Sequence, residues 1–392
     1  MINRIITFII IYFFFITGLG FCENTDNWPR LRGSDASGLP KDGNHSSLPV
    51  KWSKTDNVKW KTQIPGTGWS SPVVWGDKVF ITSVINDKAE ENAKPKAGLY
   101  LGLGRRGIPS GKHHWMVYCM DLKSGKMIWK NEAHTGEPPV GRHPKSCYAA
   151  ETPVTDGKRL YVLFGDLGMW CYDLNGKELW KHSIEPKKTM WDYGAAASPV
   201  IHGNQVIYVY DNNEQSYIAS LDAEKGTENW RVLRDGKSTW ATPYIWETEG
   251  RTEIVVPGKK KIFSYGMDGK VLWELTGRMS NLVIPSPFVV DNLLYITSGY
   301  FADPHRPVYA IKPGAKGDIS LKDDDNSNEF IQWYQPKGGP YNTTPLVYDG
   351  IYYLLLDQLE SLQPSSLRHL ALKHCCYNLP RSLPERPFHP RK

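Results

Sequence analysis

The chain has 392 residues, 40% of them hydrophobic and 12% aromatic with 15 Trp, which is ample material for a large buried core. Its formal net charge of +6 is concentrated in the last stretch, where 358–392 holds six Lys/Arg against two Asp/Glu. The rest is close to balanced, so charge gives no case for a nucleic-acid partner.

At the N-terminus, Arg4 precedes an almost wholly apolar run, Ile5 to Thr17, and the small residues Gly18-Leu19-Gly20 follow. This is the layout of a secretory signal peptide over 1–22, and the run is short for a membrane span. Phe21, directly before Cys22, fits poorly with the small residue a lipidation site uses. The segment 23–47 has no periodicity and reads as an extended lead-in. Val58-Lys59-Trp60-Lys61 resembles the last strand of a sheet whose other strands are missing locally, so its partners are expected from the C-terminal end.

From residue 66 onward a pattern recurs. Ser/Thr-Pro appears at Ser71-Pro72, Thr152-Pro153, Ser198-Pro199, Thr242-Pro243, Ser286-Pro287 and Thr344-Pro345. A Gly or Asp turn and a β-branched or aromatic run follow each copy, which is a hairpin signal. Gly-x-x-x-Trp closes four copies, Gly125 to Trp129, Gly176 to Trp180, Gly226 to Trp230 and Gly269 to Trp273, with Asp121, Asp173, Asp222 and Asp268 placed just ahead for Asx turns. Prolines 153, 199, 243 and 287 are 46, 44 and 44 residues apart, a spacing expected of propeller blades. The wider gaps after Pro72 and Pro287 read as insertions. One four-stranded unit cannot bury its two faces alone, so the fold class predicted is all-β, a β-propeller of four-stranded blades over 48–357 with about six copies.

The motif Cys171-Tyr172-Asp173-Leu174-Asn175-Gly176-Lys177-Glu178-Leu179-Trp180 resembles the pyrroloquinoline quinone (PQQ)-like repeat of quinoprotein dehydrogenases and of the barrel-assembly lipoprotein of bacterial outer membranes. From Trp28 to about Asp357 the chain is similar to secreted PQQ-binding-like propellers of planctomycete-type bacteria. The resemblance implies about seven or eight blades in an intact family member. It is specific for fold and much less so for activity.

The segments ahead of the prolines should converge on one mouth of the central channel. They supply the candidate cofactor-binding residues Trp69, Tyr148, Glu151, Trp191, Asp192, Tyr193, Trp240, Asn281 and Tyr341. Aromatic faces with a few polar groups suit a planar quinone or a sugar-like ligand, although burial of apolar surface is the commoner use of such rings. No motif ties Glu151 or Asp192 to the base or calcium-ligand roles of the dehydrogenases, so no catalytic residue is assigned. Asp211-Asn212-Asn213-Glu214-Gln215 offers too few oxygens in too irregular a spacing for calcium and reads as a solvated turn. His113, His114 and His143 have no zinc-type spacing. Gly102-Leu103-Gly104 and Gly111-Lys112, inside the first insertion, both lack the remaining positions of a nucleotide-binding loop.

Cys119 and Cys171 share one repeat position, filled by Ser220 in the next copy, so a small buried residue explains them. The adjacent Cys375-Cys376 resembles the vicinal disulfide of some quinoprotein dehydrogenases, but it lies in 358–392, a non-propeller stretch that reads like a shifted reading frame. Two functions are therefore carried forward. The first is an extracytoplasmic, periplasmic or secreted, monomeric scaffold for a protein or polysaccharide partner, needing no cofactor or metal. The alternative, a PQQ- and calcium-dependent dehydrogenase of an alcohol or sugar, follows from the resemblance.

Overall fold

The computed structural model describes residues 27–40, 49–88, 108–277, 279–300, 302–322, 324–348 and 350–355, together with the backbone of 374–378. The expected signal peptide, Gly102-Leu103-Gly104, the Cys375-Cys376 side chains and most of the tail lie outside these residues.

Six sheets occur among the described residues, in chain order. The first is β1 (Val73–Trp75), β2 (Lys78–Asn86), β3 (His113–Asp121) and β4 (Met127–Gly136). The second is β5 (Val154–Thr155), β6 (Arg159–Phe164), β7 (Gly168–Asp173) and β8 (Glu178–Ser183), and the third is β9 (Val200–His202), β10 (Gln205–Tyr210), β11 (Ser216–Asp222) and β12 (Glu228–Arg234). The fourth holds β13 (Tyr244–Thr248), β14 (Arg251–Val256), β15 (Lys261–Gly266) and β16 (Val271–Thr276). In the fifth, β17 (Phe288–Val290), β18 (Leu293–Thr297) and β19 (Val308–Ile311) are completed by β21 (Ile331–Gln335). Between them β20 (Gly317–Asp318) leaves the insertion and pairs in parallel with β16 of the preceding sheet. The sixth has β22 (Leu346–Tyr348), β23 (Ile351–Leu355) and β24 (His374–Asn378), the last drawn from the stretch read as aberrant.

Neighbouring pairings within the first five sheets are antiparallel, and a register shift recurs where the third strand meets the fourth. It falls at Cys119/Met120, Cys171/Tyr172, Ser220/Leu221, Ser264/Tyr265 and Ala310/Ile311. The small residue expected at this repeat position is thus the bulge position, and Cys119, Cys171 and Ser220 are all fully buried there. Cys119, Cys147 and Cys171 are free thiols, and burial pushes all three up in pKa, to about 12, about 11 and about 12.

Each sheet buries its faces against its neighbours, giving one apolar cluster per successive pair. Val73, Phe80, Trp115 and Val162 join the first two sheets; Tyr161, Met169, Tyr208 and Tyr217 join the second and third. Ile207, Ile218 and Ile254 join the third and fourth, Trp246, Trp273 and Tyr309 the fourth and fifth, and Phe288, Tyr295 and Tyr352 the fifth and sixth. Burying one such large side chain contributes about 1.5–3 kcal/mol, so a sheet without a neighbour forfeits its main stabilisation.

Two sets of polar contacts fix the sheets relative to one another. At the hub, the backbone N–H of each Ser/Thr before a proline donates to the hydroxyl of the equivalent residue in the next sheet. Ser71 donates to Thr152 (2.9 Å), Thr152 to Ser198 (2.9 Å), Ser198 to Thr242 (3.0 Å), Thr242 to Ser286 (3.1 Å) and Ser286 to Thr344 (3.0 Å). At the rim, the closing tryptophan of one sheet lies on the turn glycine of the next. Trp129 Nε1 donates to Leu174 O (3.1 Å), Trp180 to Ala223 O (3.1 Å) and Trp230 to Met267 O (3.0 Å), with their rings over Gly176, Gly226 and Gly269. Trp60 makes the same contact with the first sheet, donating to Leu122 O at 2.9 Å with its ring over Gly125. The segment around Trp60 forms no strand, yet its indole stands where the closing tryptophan of a preceding sheet would be.

The Asx turns take their expected form: Asp173 Oδ1 accepts from the N–H of Asn175 and Lys177, and Asp222 Oδ1 from those of Glu224 and Lys225. The loop at Asp211 departs from expectation. Asp211 and Asn212 are buried, not solvated, with Asp211 ion-paired to the equally buried Arg234 (2.9 Å) and Asn212 organising the turn through Tyr210 O and the N–H groups of Glu214 and Gln215.

Gly226 has φ +70, and a Cβ there would sit 2.5 Å from the Trp180 ring, whereas Gly203 has φ +55 in open space. Gly226→Ala should cost about 2–3 kcal/mol in urea unfolding against about 1 kcal/mol for Gly203→Ala. Equal losses at the two positions would refute the interlock.

Candidate functional site at the mouth

The first five segments ahead of the prolines are bonded each to the next. Trp69 N–H donates to Ala149 O (3.0 Å), His143 N–H to Tyr193 O (3.1 Å), Trp240 Nε1 to Gly194 O (2.8 Å) and Trp240 N–H to Val283 O (2.9 Å). Of the predicted residues, Tyr148, Glu151 and Tyr193 line one small cavity with Trp115, Arg142 and Asp166. Trp191 and Trp240 adjoin it through the Tyr193 ring, at 5.4 and 6.3 Å between centroids. Trp69, bonded through its backbone to Ala149, is 56% exposed and does not line this cavity. Asn281 and Tyr341 stand apart, Asn281 N–H on Asp303 Oδ2 (2.8 Å) and Tyr341 against Tyr300 (5.3 Å).

Local sequence explains this arrangement. Met190–Asp192 forms a 3₁₀ turn in which Trp191 and Asp192 both have positive φ, 52° and 54°. A bulky residue adopts that conformation only when its surroundings impose it. Here Met190 N–H donates to Ser238 Oγ and Gly194 N–H to Thr189 Oγ1, both at 2.8 Å. On the opposite side the hairpin between β6 and β7 brings up Gly165 and Asp166. Gly165 N–H donates to Glu151 Oε1 (3.1 Å), and a Cβ at this position would lie 2.6 Å from that oxygen, so the contact requires glycine.

Asp166 accepts from Tyr210 Oη (2.7 Å) and Ala195 N–H (3.3 Å). Sequence reasoning missed it, because nothing in Gly165-Asp166-Leu167-Gly168 distinguishes a buried hairpin tip from an exposed one. Burial is the main cause that raises both carboxyls: Glu151 to about 8, helped by the nearby Asp166, and Asp166 to about 6, opposed by its Tyr210 and Ala195 hydrogen bonds. Near neutral pH the pair therefore holds a proton. The cavity is about 10 Å³, room for about one water.

These shifts set a pH dependence. Both folded pKa values lie above the unfolded ones, so the associated stability is complete below about pH 4 and is lost as pH rises through about 6 and then about 8. Melting temperature should fall between pH 6 and 8.5, and Glu151→Gln, which can still accept from Gly165, should flatten the upper part of that fall. Parallel profiles for the two proteins would contradict this assignment.

Residues 113–302 match the family model described as outer membrane protein assembly factor BamB. A polyvinylalcohol dehydrogenase from Pseudomonas sp is 20% identical over 328 residues, covering 70% of this chain and 46% of that protein. The chain thus spans about half the length of the curated relative it matches. Among solved structures, BamB from Moraxella catarrhalis is similar with 12% identity and a TM-score of 0.40, over 74% of this chain and 94% of that one. The quinohemoprotein alcohol dehydrogenase from Comamonas testosteroni gives 14% identity and a TM-score of 0.48, over 85% of this chain and 58% of that one. The recurring Ser/Thr-Pro and Gly-x-x-x-Trp elements and the four-stranded sheets give the chain the all-β blade architecture of a β-propeller, and across 113–302, just under half of its length, it is similar to the PQQ-like repeat family.

Proposed function

We propose that this protein is an extracytoplasmic propeller that binds a protein or polymer partner through its mouth loops, and that it does not carry a quinone. The observation that supports this is the mouth itself: its neighbouring segments are bonded to one another, and the cavity lined by Tyr148, Glu151, Asp166 and Tyr193 has room for about one water. A tricyclic quinone needs a slot many times larger, and ligand sites for molecules of that class run to about 300 Å³ or more. The residues present also do not fit the calcium that would accompany it. Calcium takes about six to eight oxygens, among them ionised carboxylates, whereas Glu151 and Asp166 are held toward their neutral forms and are already occupied by Gly165, Tyr210 and Ala195. Among the described residues no group of three or more His, Cys, Asp or Glu side chains gathers to hold a metal ion. Trp69, exposed on the segment bonded to Ala149, offers the aromatic surface a partner would cover.

An extracytoplasmic location agrees with the signal-peptide layout of 1–22 and with the BamB family match. No helix among the described residues is long and apolar enough to cross a membrane. The dehydrogenase reading is tested by titrating the protein with PQQ and calcium while recording quinone absorbance and dye reduction with alcohols and aldoses. The expected result is no bound-quinone spectrum and no turnover. Stoichiometric quinone binding with dye reduction would overturn the proposal.

A further inference from the structure

The segment expected to be an extended lead-in is folded into the hub. Residues 31–39 are turns and bends, with Arg32 and Ala36 at positive φ (65° and 57°). The arm touches sheets along the whole row, from the first to the sixth. Trp28 exchanges two backbone hydrogen bonds with Val74 of β1 (2.9 Å each), and Pro29 O accepts from Thr155 N–H of β5 (2.9 Å). Arg30 lies 5.7 Å from the centroid of the Tyr244 ring in β13, and Arg32 lies 5.6 Å from that of Phe288 in β17. A hub cavity of about 10 Å³ is lined by Arg30, Arg32, Pro199, Pro243 and Pro287.

Arg32 makes the longest reach. Its Nη1 donates to Thr344 O (3.2 Å) and its Nη2 to Pro345 O (2.6 Å), at the start of the sixth sheet, while Nε and Nη2 donate to Ala36 O (2.9 Å) and Ser37 O (2.7 Å) within the arm. Burial lowers its pKa to about 10, so it remains a cation, and carbonyl oxygens and an aromatic face solvate it. The planar fork that spans two carbonyls of the sixth sheet and two of the arm at once is particular to arginine.

We propose that the hub is a peptide-binding socket whose resident ligand is the arm Trp28–Leu39, and that Arg32 is the positioning residue through which this ligand holds the sixth sheet to the ring. The apolar clusters join only successive sheets, and the first and sixth share none among the described residues. The arm contacts both, and so couples the two ends of the row.

Two measurements on the full chain test this. In the first, a protease site is placed within 41–48 and cut, and the nicked protein is passed over a sizing column with mass spectrometry of the fractions. The arm should stay with the body in the parent protein and separate from it in Arg32→Ala. In the second, hydrogen exchange is followed in the uncut chain. Arg32→Ala should speed exchange across Ile351–Leu355 by about tenfold or more, with Arg32→Lys intermediate and Arg159–Phe164 of the second sheet unchanged. Loss of the arm from the cut parent protein overturns the proposal, as does its retention by Arg32→Ala. Equal acceleration in the second and sixth sheets, or none in either, also overturns it.

Discussion

The row of amide-to-hydroxyl hydrogen bonds at the hub is the constraint on which the rest of this structure depends. A proline fixes the start of each innermost strand and holds the residue before it in an extended conformation, which turns that residue's N–H sideways toward the next sheet. Buried so close to the axis, as Thr152 and Ser198 are, the N–H needs an acceptor, and the hydroxyl of the next Ser/Thr supplies it. Serine and threonine alternate along the six positions, and either side chain supplies the hydroxyl. The contact also has a direction, each sheet donating to its successor, so it sets the order of the sheets as well as their spacing.

The rim contact between tryptophan and glycine is the outer counterpart. It fails where the insertion intrudes: Trp273 Nε1 turns into its own sheet and donates to the buried Glu253 (2.6 Å), which also accepts from Ser264 and Arg251. The short β20 then pairs with β16, along the edge of the fourth sheet. One local change in sequence thus rewires the rim, while the hub bond from Thr242 to Ser286 is preserved.

The repeat, the hairpins, the Asx turns and the small bulge residue were legible in the sequence because each is a local requirement of chain geometry. The mouth was legible in outline, since strand order places the segments before the prolines together. Three features were not. The arm has no periodicity, because its partners are scattered over the sheets it touches and impose no repeat on it. Asp166 and the Asp211-Asn212 pair look like exposed turn residues, but Asp166 is covered by Ala195 and by Tyr210 of the neighbouring sheet, and Asp211 by Arg234 two strands away in its own sheet, contacts that no local pattern announces. Trp60 was recognisable as a closing tryptophan, but that it docks without strand structure depends on Gly125 beneath it.

The same stacking brings the segments before the prolines together, where rings and backbone amides contact one another and Trp69 is left exposed. The central claim concerns the hub bonds, and residue-resolved amide exchange reads it most directly. Thr152, Ser198, Thr242 and Ser286 donate to a neighbouring hydroxyl, whereas Thr344, at the equivalent position, has no N–H partner among the described residues. The account predicts that the first four amides exchange at least about a hundredfold more slowly than that of Thr344. Comparable rates at all five would contradict it.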